Sequence, residues 1–338
     1  MSQWIGTSNQ QYAPYAMEEL RRLIDGAGFT QLSPGEVFLM DSPLDRQAVQ
    51  QMIIQQEPIF LRHLQAVDHT IDITGAAADL ELLSAMLRSA LPSVKGQRTA
   101  VHIRRNAKTA FQYSAADTKA ALDAVLEEIG AEPAIKDPEM IVAIYASPDK
   151  LYIGFGTPRE MLSDWPGGAV RFQREEGQVS RAKFKLLEAE KTFDLQYAKH
   201  QKALDIGAAP GGWTSLLLER GLRVTAIDPA ELHPSLLAYP TLTYLKRNAS
   251  EVKLPAASFD LLVCDMSWSP MMMCRLVLDL EPALTKGATA IITVKLMHKK
   301  PMQTIRDVIS RMSTAFILQK AKQLFHNREE ITLYLTKK

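Results

Sequence analysis

Two cysteines, Cys264 and Cys274, are all that 338 residues contain, too few for a disulfide framework or a cysteine-based zinc site. Each reads as a small buried hydrophobe. The seven histidines follow no metal-ligand spacing, so no metal is expected. No apolar run approaches the roughly 18 residues of a membrane span. The start "MSQWIGTSNQQYAPYAMEELRR" lacks the basic-then-apolar order of a secretory signal, so a soluble, cytoplasmic chain without membrane contact is expected. Internal repeats and low-complexity tracts are missing too. Net charge is also scarce, at +1.

That near-neutrality hides an asymmetry. Residues 286–338 hold eleven Lys/Arg against Asp307, Glu329 and Glu330, a local balance of +8 that leaves −7 for the remainder. A basic segment on a neutral protein points to a local anionic partner, nucleic acid before membrane. No obligate protein partner is implied. At 46% hydrophobic residues, the chain can bury more than one core.

The stretch "SDWPGGAVRFQREEGQVS" (163–180) clusters Pro, Gly and polar residues between two periodic regions and marks a linker over 161–180. Upstream, Ala13 to Ile24 has helical spacing and "GEVFLMD" reads as a strand. "HTIDITG", "RTAVHIRR", "MIVAIYAS" and "KLYIGFG" read as further strands, the last two a hairpin, with helices over Leu80–Leu91 and Thr118–Gly130. We read 1–62 as a ferredoxin-like α/β region and 63–160 as a second small α+β domain. Arg98, His102, Arg104, Arg105 and Lys108 crowd one of its strands and its exit, where cations can track phosphates. The helix after the linker is placed from Ser180, with Phe184, Leu187 and Leu195 inward.

The most informative stretch is "LDIGAAPGGWTSLLLERGLRVTAID" (204–228). Ala203 to Ile206 predicts a strand, Gly207 to Gly212 a turn, Trp213 to Glu219 a helix, and Arg223 to Ile227 a second strand ending in Asp228. Backbone amides and a helix N-terminus thus face whatever sits above the strand end. An acid at the tip of the second strand is placed to hold ribose hydroxyls. The glycine order G-x-x-x-G-G is not the dinucleotide fingerprint and builds no pyrophosphate cradle. S-adenosylmethionine, whose amino-acid tail turn carbonyls, amides and Asp205 can meet, fits better than NAD. The turn residues Gly207, Ala208, Ala209, Pro210, Gly211, Gly212 and Trp213 are assigned to that cofactor with Asp205 and Asp228.

From 180 onward, "SRAKFKLLEA", "DIGAAPGGWT", "LLVCDM", "TVKLMHKK" and "AKQLFHNREEITLYL" resemble, in order, the FtsJ/RrmJ class of RNA ribose 2′-O-methyltransferases. Within it the nearest pattern is the RlmM family, which modifies a cytidine of large-subunit ribosomal RNA. The outline of 63–160 resembles that family's THUMP RNA-binding region. The resemblance implies a Rossmann-like, seven-stranded methyltransferase domain over 181–338 with an antiparallel last strand, preceded by a smaller α+β THUMP-like region. It also implies a catalytic Lys-Asp-Lys-Glu tetrad, here Lys185, Asp265, Lys295 and Glu330. Lys295 would be the base, Lys185 its cationic neighbour and ribose positioner. Asp265 would orient Lys295 beside the methyl, and Glu330 would fix a lysine. Ser180, Asn248 and Asp265 join the cofactor set. Strand alternation lets only one of Glu329 and Glu330 face the site, and the motif phase selects Glu330.

Two positions depart from the class. "MSWSP" follows Asp265 where an aspartate-methionine-alanine-proline run is common, so Trp268 reshapes the acceptor pocket. Asn248 stands where an acid usually meets the adenine amine, and its amide oxygen can accept the same bond. "MMM" at 271–273 reads as packing, and His298, Lys299 and Lys300 as a basic loop at the mouth of the site. Two other readings compete. A base-N-methyltransferase requires an Asn/Asp-Pro-Pro-aromatic run after the fourth strand, and "DMSWSP" is not one. A non-catalytic ribosome-assembly factor retaining the cofactor pocket has no need of the tetrad.

Overall fold

The computed structural model describes residues 1–91, 94–297 and 300–338. The chain divides into two compact units, Met1–Val170 and Arg171–Lys338.

The first unit opens with β1 (Ser2–Thr7), α1 (Ala13–Leu23), β2 (Gly28–Ser33), β3 (Val37–Ser42), α2 (Arg46–Gln56) and β4 (His63–Ala66). Their sheet, ordered β2-β3-β1-β4, is antiparallel throughout, the arrangement of a ferredoxin-like unit. Because β4 pairs with β1, that unit extends past residue 62. A second sheet follows from β5 (His69–Asp72), α3 (Ala78–Ala90), β6 (Arg98–Arg105), α4 (Ala115–Glu128), β7 (Glu132–Pro133), β8 (Met140–Ala146) and β9 (Lys150–Gly156). Its order is β5-β9-β8-β6-β7. Leu83 and Leu87 of α3 pack with Leu122 and Leu126 of α4 over Val101, Val142 and Ile153.

The two sheets interlock. Gln65 Nε2 donates to Ala143 O (2.9 Å) and Tyr152 O (3.0 Å). A Cβ on Gly154 would stand 1.7 Å from Ala66 O, so only glycine allows the backbones to meet. Residues 161–170 also belong here: Met161 O accepts from Leu64 N, and Gly167 O accepts from Arg62 Nε at 2.9 Å. The break between units therefore lies inside the expected linker, ten residues past its start.

Two of the basic residues of β6 turn inward. Arg104 donates to Thr7 Oγ1 (2.6 Å) and Glu36 Oε1 (3.3 Å), and His102 is buried. These two are thereby withdrawn from any phosphate track; Arg98, Arg105 and Lys108 remain exposed. Burial lowers the His102 pKa from 6.5 to about 4, and burial with Arg104 and Arg62 nearby holds His63 well below its usual value. Histidines held neutral in the fold contribute stability that is full above pH 6.5 and lost as pH falls toward the folded pKa. For His102 the loss reaches about 3 kcal/mol by pH 4. Thermal melts of wild type and His102→Gln from pH 7 to pH 4 should converge as pH falls; parallel curves would refute a neutral His102.

The second unit contains α5 (Lys183–Thr192), β10 (Lys202–Ile206), α6 (Gly212–Glu219), β11 (Arg223–Ile227), β12 (Leu242–Leu245), β13 (Phe259–Cys264), α7 (Pro270–Leu280), β14 (Leu284–Lys295), α8 (Pro301–Met312), β15 (Phe316–Lys322) and β16 (Glu330–Lys337). Seven strands run in the order β12-β11-β10-β13-β14-β16-β15. β10 to β14 run parallel to one another, and β16 is antiparallel to both β14 and β15. Sequential strands move outward from β10 to β12 and then return to β13. That reversal opens a crevice at the carboxyl ends of β10 and β13.

Helix α5 buries Lys183, Leu186, Glu188 and Ala189; of the expected stripe, Leu187 packs half-buried against that core and Leu195, beyond the helix, is buried in it, while Phe184 is not part of it. Lys183 can face inward because Glu175 (2.9 Å) and Glu219 (2.8 Å) neutralise it. Glu188 accepts from the amides of Phe325 (2.7 Å) and His326 (2.8 Å). Polar residues on the inner face thus disguise the helix periodicity. Among the described residues no helix is long and apolar enough to cross a membrane.

Candidate active site

The site begins at the turn after β10. Gly207 has φ +74° and Gly211 φ +112°, left-handed values that favour glycine. A Cβ on Gly207 would lie 2.4 Å from Met266 Cγ, and one on Gly212 would lie 2.3 Å from Ser180 Oγ. The turn is therefore packed from below and from the side, with the start of α6 presented above it. Gly207 N and Ala208 N donate back to Ile227 O, which fastens the turn to β11.

At the tip of β11, Asp228 Oδ2 accepts from Ala209 N (3.0 Å) and Oδ1 from Ala230 N (2.8 Å). One amide per oxygen fixes the carboxylate and leaves each oxygen acceptor capacity for a hydroxyl. Asn248 is exposed at the end of the β12 loop, where its Nδ2 donates to Glu251 Oε1 (3.1 Å). That bond orients the amide so that Oδ1 is the open end. Beneath the turn, the fully buried Asp205 accepts from Thr214 Oγ1 at 2.5 Å. Burial, with Asp265 and Asp228 adding repulsion, pushes its pKa up to about 7.

The four expected catalytic residues reach the same edge of the sheet from four elements. Lys185 Nζ donates to Asp265 Oδ1 (3.0 Å) and Oδ2 (3.2 Å). It also lies 3.2 Å from Glu330 Oε2, an ion pair outside hydrogen-bond alignment, since that oxygen has no hydrogen-bond partner among the described residues. Burial works against the Lys185 charge, but the two carboxylates outweigh it and raise its pKa. Lys295 stands opposite Glu330 in the β14/β16 register and is exposed. Asp265 thus holds Lys185, not Lys295, which corrects the orienting role expected of it. The geometric reason is that α5 delivers Lys185 over the strand end between the two acids.

The turn, the strand-tip acid, Lys185, Asp265 and Lys295 lie in the segment that matches a known family model, FtsJ-like methyltransferase, over residues 178–327; Glu330 lies three residues beyond it. Curated proteins called "Ribosomal RNA large subunit methyltransferase M" are similar to the chain. That of Halorhodospira halophila is 37% identical over 187 residues, covering 54% of this chain and 53% of the relative. That of Laribacter hongkongensis is 35% identical over 188 residues, covering 51% and 52%; that of Azoarcus sp. is 33% identical over 192, covering 53% and 52%. The match spans about half the length of these relatives.

Within the FtsJ-like segment some expectations change. The Trp213 side chain does not face the turn: it is 3% exposed, lies in the core with Leu186 and Leu217, and donates from Nε1 to Ala182 O at 2.9 Å. Its bulk anchors α6 to the start of α5. Ser180 precedes α5 instead of capping it, and its Oγ accepts from Ala182 N. Of the 271–273 run only Met273 is core; Met271 and Met272 are exposed. His298 and Lys299 lie outside the described residues, and Lys300 is exposed.

Two supporting residues escaped the sequence reading. Thr293, buried on β14, donates from Oγ1 to Asp265 Oδ1 at 2.7 Å. Its position two residues before Lys295, on the same strand face, is the signal that would have found it. Glu188 lies one helical turn after Lys185 and holds the loop that leads to Glu330; only its spacing on α5 hinted at this.

Proposed function

We propose that the chain methylates the 2′-hydroxyl of a ribose in RNA, a cytidine of large-subunit ribosomal RNA, with S-adenosylmethionine as donor. One observation carries this reading: a lysine locked between two carboxylates, Lys185, beside a strand-end lysine, Lys295, that the carboxylates leave open. When bound, the cofactor supplies a methyl group on a cationic sulfur. The residues present fit it: Asp228 for the ribose hydroxyls, Asn248 Oδ1 for the adenine amine, and the glycine turn for the amino-acid tail; Asp205, 1% exposed and bonded to Thr214, supports the turn from below instead of meeting the tail as the sequence suggests.

Lys185 cannot serve as the base, since its carboxylate partners raise its pKa. It remains a fixed ammonium that donates to an acceptor oxygen and positions the ribose. Lys295 takes the proton of the attacking hydroxyl. Asp265, tied to Thr293, and Glu330 keep Lys185 in place. We assign the region built on the second sheet, β5 to β9, as a THUMP-like RNA-binding region, with Arg98, Arg105 and Lys108 meeting phosphates. The proposed setting is the cytoplasm.

The test is methyl transfer from labelled cofactor to purified large-subunit ribosomal RNA, followed by mapping of the modified nucleotide. One 2′-O-methylated cytidine is expected; label on a base, or no label with competent RNA, overturns the proposal. Asp228→Ala should weaken cofactor binding by about 1.5–3 kcal/mol for each charged hydrogen bond removed. Calorimetry giving unchanged affinity in a folded variant would remove Asp228 from the site.

A further inference from the structure

Strands β13 and β14 are adjacent and parallel, with Cys264 opposite Ile292, so the chain leaves both at the edge that carries Asp265 and Lys295. The residues that leave it are unexpectedly apolar. Met297 is 53% exposed, Met271 49% and Met272 58%, and Trp268 is half-buried three residues after Asp265. Helix α7 does not need these methionines for its packing. Its inner face is made by Met273, Cys274, Leu276 and Val277, all buried.

We propose that Trp268, Met271, Met272 and Met297 receive the nucleobase whose ribose is methylated, an inference that rests on the function proposed above. In a single-stranded loop or bulge, the nucleotide that presents its 2′-hydroxyl to Lys295 can have its base splayed out of the stack, and an unstacked base exposes two apolar faces. An indole offers such a face a stacking surface. Unbranched thioethers adapt to a flat ring without fixing its identity. The charge beside the patch selects a polyanion over a protein partner: Lys300, five residues after Lys295, is exposed. The same nucleotide would thus give its base to the methionines, its phosphate to Lys300 and its sugar to the tetrad.

The experiment compares wild type with a Trp268→Ala, Met271→Ser, Met272→Ser variant. The substrates are an RNA bearing the mapped target nucleotide and the same RNA with that one base deleted, its ribose kept. The variant should lose about tenfold or more in kcat/KM on the intact RNA and keep its affinity for S-adenosylhomocysteine. Wild type on the abasic RNA should fall to the variant's level, and the variant should lose little further there. The wild-type comparison stands even if the variant does not fold. Undiminished kcat/KM for the variant, full wild-type activity on abasic RNA, or losses that multiply when variant and abasic RNA are combined would each overturn the proposal. A change in oligomeric state with unchanged turnover would instead assign the patch to a protein contact and overturn it too. If wild type methylates neither RNA, the proposed function itself fails, and the receptor falls with it.

Discussion

Lys295→Arg is expected to be inactive, with cofactor and RNA affinities close to those of wild type. A guanidinium keeps the positive charge at the end of β14 and reaches at least as far, but it does not give up its proton in the working range. The substitution therefore separates proton transfer from charge placement. Removing a general base costs about 10²- to 10⁴-fold in rate, and Lys295→Ala should fall in the same range, because neither change empties a pocket. Single-turnover assays with RNA and cofactor pre-bound read the chemical step directly. Near wild-type turnover by Lys295→Arg would make Lys295 a positioning cation and move the search for the base to solvent.

Lys185→Met should have the second largest effect, on stability as well as rate. It leaves Asp265 and Glu330 facing each other without their shared cation, at positions whose side chains are only 16% and 24% exposed. Losing one partner of such a network costs more than the network is worth, because the remaining charges stay desolvated. A loss of roughly 2–4 kcal/mol is expected in denaturant titrations. Adding Asp265→Asn and Glu330→Gln should restore most of that stability and none of the activity. Recovery of methyl transfer in the triple variant would reduce Lys185 to a structural counter-ion.

What the sequence made legible was local. The β10 turn, Asp228 at a strand tip, and the strand ends at Asp265 and Lys295 each follow from a few consecutive residues, because a glycine turn or an acid after an apolar run has a narrow set of backbone solutions. Which lysine the carboxylates choose was not local. Lys185 and Asp265 stand 80 residues apart in the chain, and their pairing depends on where α5 lies over the sheet. The same limit applies to Arg104 and His102, which strand alternation places on a face but not against Thr7 or Glu36. Helix α2 was overlooked because its glutamine-rich turns bury only Val49 and Ile53. Strand β1 went unread because "SQWIGT" gains its partners from residues 37–42 and 63–66, far along the chain.

The interior position of β16 sets an order in time. This strand follows β14 and β15 in the chain, yet it lies between them and is their common neighbour in the sheet. A growing chain can align β10 to β14 and complete the turn, Asp228, Asp265 and Lys295 while the flank of β14 is still bare. Strand β15 has no ladder to join until β16 arrives, since its pairing is with β16 alone. Glu330 comes in on that same strand. A nascent or truncated polypeptide that stops short of it carries an unpaired strand edge and lacks Glu330, so under the proposed function catalysis is granted last, by the segment that also seals the sheet.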